Sequence, residues 1–155
     1  MIYPDEERFV NIKITSFSES DNEIRSLRDA VFGIEQGVSR DLDWDGEDSS
    51  CAHVLAKDSD GSLVGTGRIQ SDGKIGRLAV LARRRGKGVG GKILEALVSE
   101  AYARRLNRVY LHAQSHAISF YEKHGFRKEG TEFVEAGIPH VKMIRDLQPI
   151  SGADG

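Results

Sequence analysis

Residues 83–92 of this chain read Arg83-Arg84-Arg85-Gly86-Lys87-Gly88-Val89-Gly90-Gly91-Lys92, with five cations, four glycines and no acid. An apolar segment precedes them and an amphipathic one follows. Glycines let a ligand approach the backbone closely, and the first amides of a helix are unpaired donors at the positive end of its dipole. The cations add long-range attraction for an anion. The chemistry that follows is a cradle for a phosphate or pyrophosphate.

Three motifs overlap in this stretch, and the flanks separate them. Gly86, Gly88 and Gly91 have the spacing G-x-G-x-x-G, but a dinucleotide fold needs an acid about 20 residues further on for the ribose. Residues 101–121 contain no Asp or Glu. Gly86 to Gly91-Lys92 also fits G-x-x-x-x-G-K, but Ile93 stands where a P-loop needs Ser or Thr to hold magnesium. The third pattern is R/Q-x-x-G-x-G/A, which Arg85-Gly86-Lys87-Gly88-Val89-Gly90 satisfies.

The cradle has to be presented by a strand and a helix, and hydrophobic periodicity supplies both. Val10, Ile12 and Ile14 alternate as in a first strand. Ser20 and Asp21 are placed to cap a helix carrying Ile24, Leu27 and Val31. An acidic run follows, comprising Asp41, Asp43, Asp45, Glu47 and Asp48. Strands over 53–56, 63–69 and 74–81 are separated by Asp60-Gly61 and Asp72-Gly73, which predicts an antiparallel meander. Ile93, Leu94, Leu97, Val98 and Ala101 form the stripe of a helix over 88–105, with Asn107 as a candidate cap. A strand over 108–111, a short helix over 115–124 and strands over 126–133 and 141–144 complete a βαβββαβαββ order. The fold class is therefore mixed α/β, with a frayed tail over 149–155.

A second motif lies in the short helix, where Ala117-Ile118-Ser119-Phe120-Tyr121-Glu122-Lys123-His124-Gly125-Phe126 matches A-x-x-F-Y-x-x-x-G-F. With the two motifs in this order and a strand between them, the chain resembles the GNAT superfamily of acetyl-coenzyme A-dependent N-acetyltransferases. Gln114, His116 and the tract Glu135-Ala136-Gly137-Ile138-Pro139-His140 are most similar to its ElaA-like branch. The resemblance implies one domain over 1–147, a tail over 148–155, and a mostly antiparallel sheet flanked by helices whose fourth and fifth strands splay in a V. It implies acetyl-coenzyme A as co-substrate. The pantetheine would run along Leu78, Ala79 and Val80, the pyrophosphate would meet Arg85, Gly86, Lys87, Gly88, Val89, Gly90 and Gly91, and Gln114 and His116 would add contacts. Relatives commonly carry asparagine where Gln114 stands.

The implied reaction is acetyl transfer to a primary amine by direct attack in a ternary complex. Tyr121 is then the acid for the departing thiolate, and a backbone N–H near Ala79 or Val80 the oxyanion donor. No carboxylate occurs in residues 76–80, where many relatives have the base, so His112 is the candidate, with His116, Glu35 and Glu135 as alternatives. Glu35, Gln36, Glu135 and His140 are candidates for binding the acceptor, a small-molecule or peptide amine, and the acidic run could steer a cationic one inward. A non-catalytic acyl-coenzyme A sensor on the same fold is the competing function, motivated by the missing strand carboxylate. Cys51 reads as a small buried thiol.

Composition bounds the rest. With 155 residues, 39% hydrophobic and 30% charged, the chain is neither disordered nor built to span a bilayer. Its start lacks the pattern of a signal peptide, so the expected compartment is the cytoplasm. A net charge of −2 argues against nucleic acid as the main partner. His112 and His116 have no companions for a metal set, so none is expected. The expected state is a monomer or a homodimer, with an edge strand near Val141 able to pair between subunits.

Overall fold

In the computed structural model, which describes residues 9–37 and 46–147, the two Asp-Gly pairs organise the first sheet. Asp60-Gly61 turns β2 (Ala52–Lys57) into β3 (Leu63–Ile69), and Asp72-Gly73 turns β3 into β4 (Ile75–Val80). With β1 (Asn11–Ser16) they form an antiparallel sheet ordered β1-β2-β3-β4. β5 (Arg108–Gln114), β6 (Arg127–Glu135) and β7 (Ile138–Asp146) form a second antiparallel sheet in the order β5-β7-β6. This is the mixed α/β architecture expected from the element order.

Val141 was the expected edge position, but β7 is the central strand of its sheet. Val141 pairs with Ala113 on β5, and its neighbour His140 pairs with Phe133 on β6. The β6–β7 hairpin folds back against β5, which buries Val141, Met143 and Ile144 and leaves β6 outermost.

Helix α1 (Phe17–Arg28) begins behind Ser16, whose hydroxyl donates to Glu19 Oε1 at 3.1 Å. The expected start at Ser20 is a kink inside this helix, with φ −139° and ψ 21°. The helix then passes into a π-helical stretch, Asp29–Glu35. Single π-turns within helices concentrate at functional sites. Helix α2 (Val89–Ala103) buries Ile93, Leu94, Leu97, Val98 and Ala101 as its pattern requires, the isoleucine, leucines and valine each stabilising by roughly 1.5–3 kcal/mol. It closes at Arg105 (φ +61°) rather than at Asn107, because Leu106 N–H reaches Ala101 O at 3.1 Å and turns the Leu106 side chain back onto the core. A 3-10 turn, Ser115–Ala117, leads into α3 (Ile118–Lys123).

The helices sandwich β4. Leu78 and Val80 pack towards the α2 core, while Ala79 packs against Leu27 of α1 and Val31 of the π-helical stretch. Among the described residues, no helix is long and apolar enough to cross a membrane.

The position of α1 depends on a buried charge cluster. Asp48 Oδ1 accepts from Arg28 at 2.7 Å and from Arg68 at 2.9 Å, and the Asp48 carbonyl meets His53 Nε2 at 3.0 Å. Asp48 therefore does not steer a ligand as the acidic run suggested; the guanidiniums of α1 and β3 take up its charge. Asp41, Asp43 and Asp45 lie outside the described residues. Cys51 is buried, as expected, with its Sγ 3.2 Å from Glu47 O.

Burial alone would raise the Asp48 carboxyl, but Arg28 and Arg68 outweigh it and hold the group below its ordinary value. Its contribution to stability is therefore complete above the unfolded value of about 3.9 and is lost as pH falls through the lower folded value. Asp48→Ala removes the carboxylate that two buried guanidiniums share and is expected to cost about 3–5 kcal/mol in urea unfolding at pH 7. A cost below about 1 kcal/mol would show that the cluster does not anchor α1.

Candidate active site

The two sheets touch at one place and then part. Tyr110 N–H donates to Gly73 O at 3.1 Å, and Lys74 forms a parallel bridge with Tyr110. Gly73 has φ +96°, and a Cβ there would lie 2.7 Å from Arg108 O, so the approach requires glycine. Beyond this bridge no strand pairing joins β4 to β5 among the described residues, which is the expected V.

β4 is also bulged. Thr66 pairs with Ala79 and Arg68 with Gly76, so Arg77 and Leu78 together oppose Gly67. Arg77 takes φ +52°, which is rare for a residue with a side chain. A bulge re-aims the backbone that follows it. Leu81 N–H bonds Val64 O at 2.9 Å, so antiparallel alternation turns the Val80 N–H and C=O outward into the gap. Arg85 Nε donates to that carbonyl at 2.9 Å. The Val80 N–H is left pointing away from β3, with no partner on β5.

The glycine-rich segment lies at the open end of the V. Gly88, with φ +86°, caps α2, and no protein atom lies within 4 Å of where its Cβ would be. Lys92 N–H bonds Gly88 O at 3.2 Å, and the amides of Val89, Gly90 and Gly91 ahead of it are first-turn donors. Gly90 lies against Phe120 and Gly91 against the His124 ring, so the A-x-x-F-Y helix packs directly on the cradle. The cations do not act as one cluster. Arg83 and Arg84 both bind Asp58, and Arg85 binds Glu35 at 2.7 Å. Lys87 is exposed at the turn.

A cleft of about 450 Å³ runs between the sheets, lined by eight of the expected residues, Gln36, Leu78, His112, Gln114, His116, Tyr121, Glu135 and His140, while Ala79, Val80 and residues 85–91 lie outside its wall. Gln114 Nε2 donates to Gln36 Oε1 at 3.0 Å, which ties β5 to the end of the π-helical stretch. Glu35 is not on the cleft wall; its carboxylate holds Arg85 beside the cradle. His112 Nδ1 and Glu135 Oε1 are 2.9 Å apart. Burial opposes ionisation of Glu135, but the His112 hydrogen bond and the charges of His112, Lys74 and His140 hold its carboxyl below the ordinary value. His140 Nδ1 donates to Ile138 O at 2.6 Å, with Nε2 3.8 Å from Glu135 Oε2. Phe133 meets His112 edge-on and stacks on His140. Burial pushes the Tyr121 phenol up to about 12, and Phe120 and Phe126 pack on its ring.

Two features were not legible beforehand. The Arg77 bulge has no sequence signal beyond an adjacent glycine, and Lys74 gained a place in the cleft only through the bridge to β5. Among the described residues no group of three or more His, Cys, Asp or Glu is arranged to hold a metal ion.

A sheet parted at one strand pair, with a glycine-rich helix entry at the open end, is the architecture of an acyl-group transferase. Comparison with known proteins agrees. Residues 19–147 match the family model described as an acetyltransferase (GNAT) domain. YjcF of Bacillus subtilis, an uncharacterised N-acetyltransferase, is 37% identical over 124 residues, covering 77% of this chain and 88% of YjcF. The structure of ElaA from Escherichia coli superposes with a TM-score of 0.78 at 29% identity, over 88% of this chain and 99% of ElaA. An acyl-CoA N-acyltransferase from Pseudomonas aeruginosa gives a TM-score of 0.78 at 27% identity, over 88% of this chain and 99% of that one. The chain belongs to the GNAT acetyltransferase family.

The cradle is tested by Gly88→Asp. The new side chain enters open space, so the fold is expected to survive with a modest penalty for the left-handed backbone, while a carboxylate now faces the phosphate site. Coenzyme A affinity by calorimetry should fall at least about 100-fold. Unchanged affinity would remove residues 86–91 from the binding site.

Proposed function

We propose that this chain is an N-acetyltransferase that moves the acetyl group of acetyl-coenzyme A to a primary amine by direct attack in a ternary complex. The observation that carries this proposal is the convergence of the His112–Glu135 pair and Tyr121 on one cleft, with the outward edge of β4 at Val80 between it and the glycine-rich turn. Acetyl-coenzyme A supplies the activated thioester, and an acyl-CoA N-acyltransferase is among the structural relatives. The residues present fit it. Gly86 and Gly88 leave open space at the cradle, α2 presents its first-turn amides, and the outer edge of β4 can receive a pantetheine as an added strand does.

The chain's own groups account for each proton. His112 Nδ1–H donates to the Glu135 carboxylate, which leaves Nε2 to take one proton from the ammonium before the neutral amine attacks; the second nitrogen proton, lost after the C–N bond forms, replaces the one that Tyr121 gives to the sulfur. As the C–N bond forms, Val80 N–H is placed to bind the developing oxyanion; Ala79, whose amide faces β3, is not. As the C–S bond breaks, Tyr121 donates to the sulfur. A phenol raised to about 12 remains protonated throughout the physiological range. Full transfer to a thiolate of ordinary basicity, about 8.5, is uphill, so the Tyr121 proton moves only as the sulfur develops charge. The missing β4 carboxylate, which motivated a non-catalytic sensor, is compensated by Glu135 arriving from β6.

Thiol release against a panel of amines tests the assignment. His112→Ala is expected to lower kcat/KM by about 10²–10⁴ with coenzyme A affinity retained. Tyr121→Phe should lower the plateau of the pH–rate profile without moving limbs below about pH 10, because Tyr121 titrates above that range. Wild-type turnover in either variant would remove that residue's role.

A further inference from the structure

The coenzyme enters from the cradle, which follows the Val80 end of β4, so the acceptor must approach from the opposite, closed end of the V. That end is lined by Lys74, Arg77, His112, Glu135, Ile138 and His140. The charge balance there is the reverse of an acidic pocket for a cationic amine. Glu135 is the one carboxylate on this wall among the described residues, and His112 at 2.9 Å already engages it. Lys74 is half-buried, and its ammonium makes no ion pair among the described residues; its backbone N–H donates to Asp72 Oδ1 at 3.0 Å and its carbonyl accepts from Gln70 N–H at 2.8 Å. Arg77, held in the bulge, adds a guanidinium to the same wall. Of the acidic run expected to steer a cationic acceptor, Asp48 is buried between Arg28 and Arg68.

Lys74 feels the charges of Asp72 and Glu135 but pairs closely with neither, and Glu135 is already engaged by His112, so a partly buried ammonium there favours a ligand that brings an anion. We propose that the acceptor is an anionic amine: a primary amine that also carries a carboxylate or phosphate, bound by Lys74 with Arg77 beside it, while the amino group meets His112. This rests on the N-acetyltransferase function proposed above. It assigns the closed end of the cleft to selectivity and the centre to chemistry, and it makes Lys74 a specificity-determining residue.

The test measures thiol release from acetyl-coenzyme A with matched acceptors: 4-aminobutyrate against butylamine, glucosamine 6-phosphate against glucosamine, and cadaverine as a dication. The anionic member of at least one pair is expected to have a kcat/KM about 10-fold or more above its partner, through KM. The pair that shows it distinguishes carboxylate from phosphate. Lys74→Met should reduce that ratio about 10-fold and Lys74→Arg should largely preserve it. Turnover of butylamine and glucosamine equal to or better than that of their anionic partners in both pairs, or of cadaverine above every anionic amine, overturns this inference and leaves acetyl transfer standing. An anionic preference that survives in Lys74→Met overturns the role of Lys74. Coenzyme A binding without turnover of any of the five amines overturns the N-acetyltransferase assignment, and this inference with it.

Discussion

The open edge of β4 is the constraint on which the site depends. A strand inside a protein must find partners for its outward N–H and C=O groups, and past Lys74 this one finds none on β5. Each neighbouring feature answers that deficit or exploits it. The bulge at Arg77 and Leu78 re-aims the strand, Arg85 takes the Val80 carbonyl, and Gln114 with Gln36 bridges the walls where no backbone ladder does. What is left over, the Val80 amide and the strand edge, is binding capacity for an extended ligand.

Ion pairs hold the pieces around this gap in register. Asp58 receives Arg83 and Arg84, which fixes the approach to the glycines, and Glu35 receives Arg85, which ties the π-helical stretch to the cradle. Arg28, Asp48 and Arg68 do the same for the body of α1 beneath the cleft. These contacts make much of the basic segment architectural, and under the proposed function phosphate binding falls chiefly to the backbone amides. Such a division suits a ligand that must leave after each turnover, since amides at a helix start recognise phosphate without a permanent excess of bare cations.

What could be read in advance was local. The Asp-Gly turns, the α2 stripe and the two motifs each depend on residues within a turn or two of one another, and each appears where its spacing placed it. The errors are where distant contacts override local preference. Ser20 offers a good cap, yet the helix starts a turn earlier and merely bends there. Asn107 suits a helix end, yet Arg105 adopts the left-handed position because Leu106 gains burial by turning inward. Val141 looks like part of a short final strand, and only the β6–β7 hairpin makes it central.

The site follows the same division. Sequence by itself determined the chemical inventory: a glycine-rich helix entry, a tyrosine on a short helix, histidines and a glutamate near the C-terminal strands, and no carboxylate on β4. Tertiary structure alone decided which of them act together. His112 and Glu135 are 23 positions apart and become partners through β7, which pairs with the strands of both; Lys74 reaches the cleft through one bridge to Tyr110; and Asp48 leaves the acidic run for a buried cluster. The physical reason is that periodicity and turn chemistry act over a few residues. Pairing across strands and the neutralisation of buried charge depend on which groups the closed fold brings within hydrogen-bond reach.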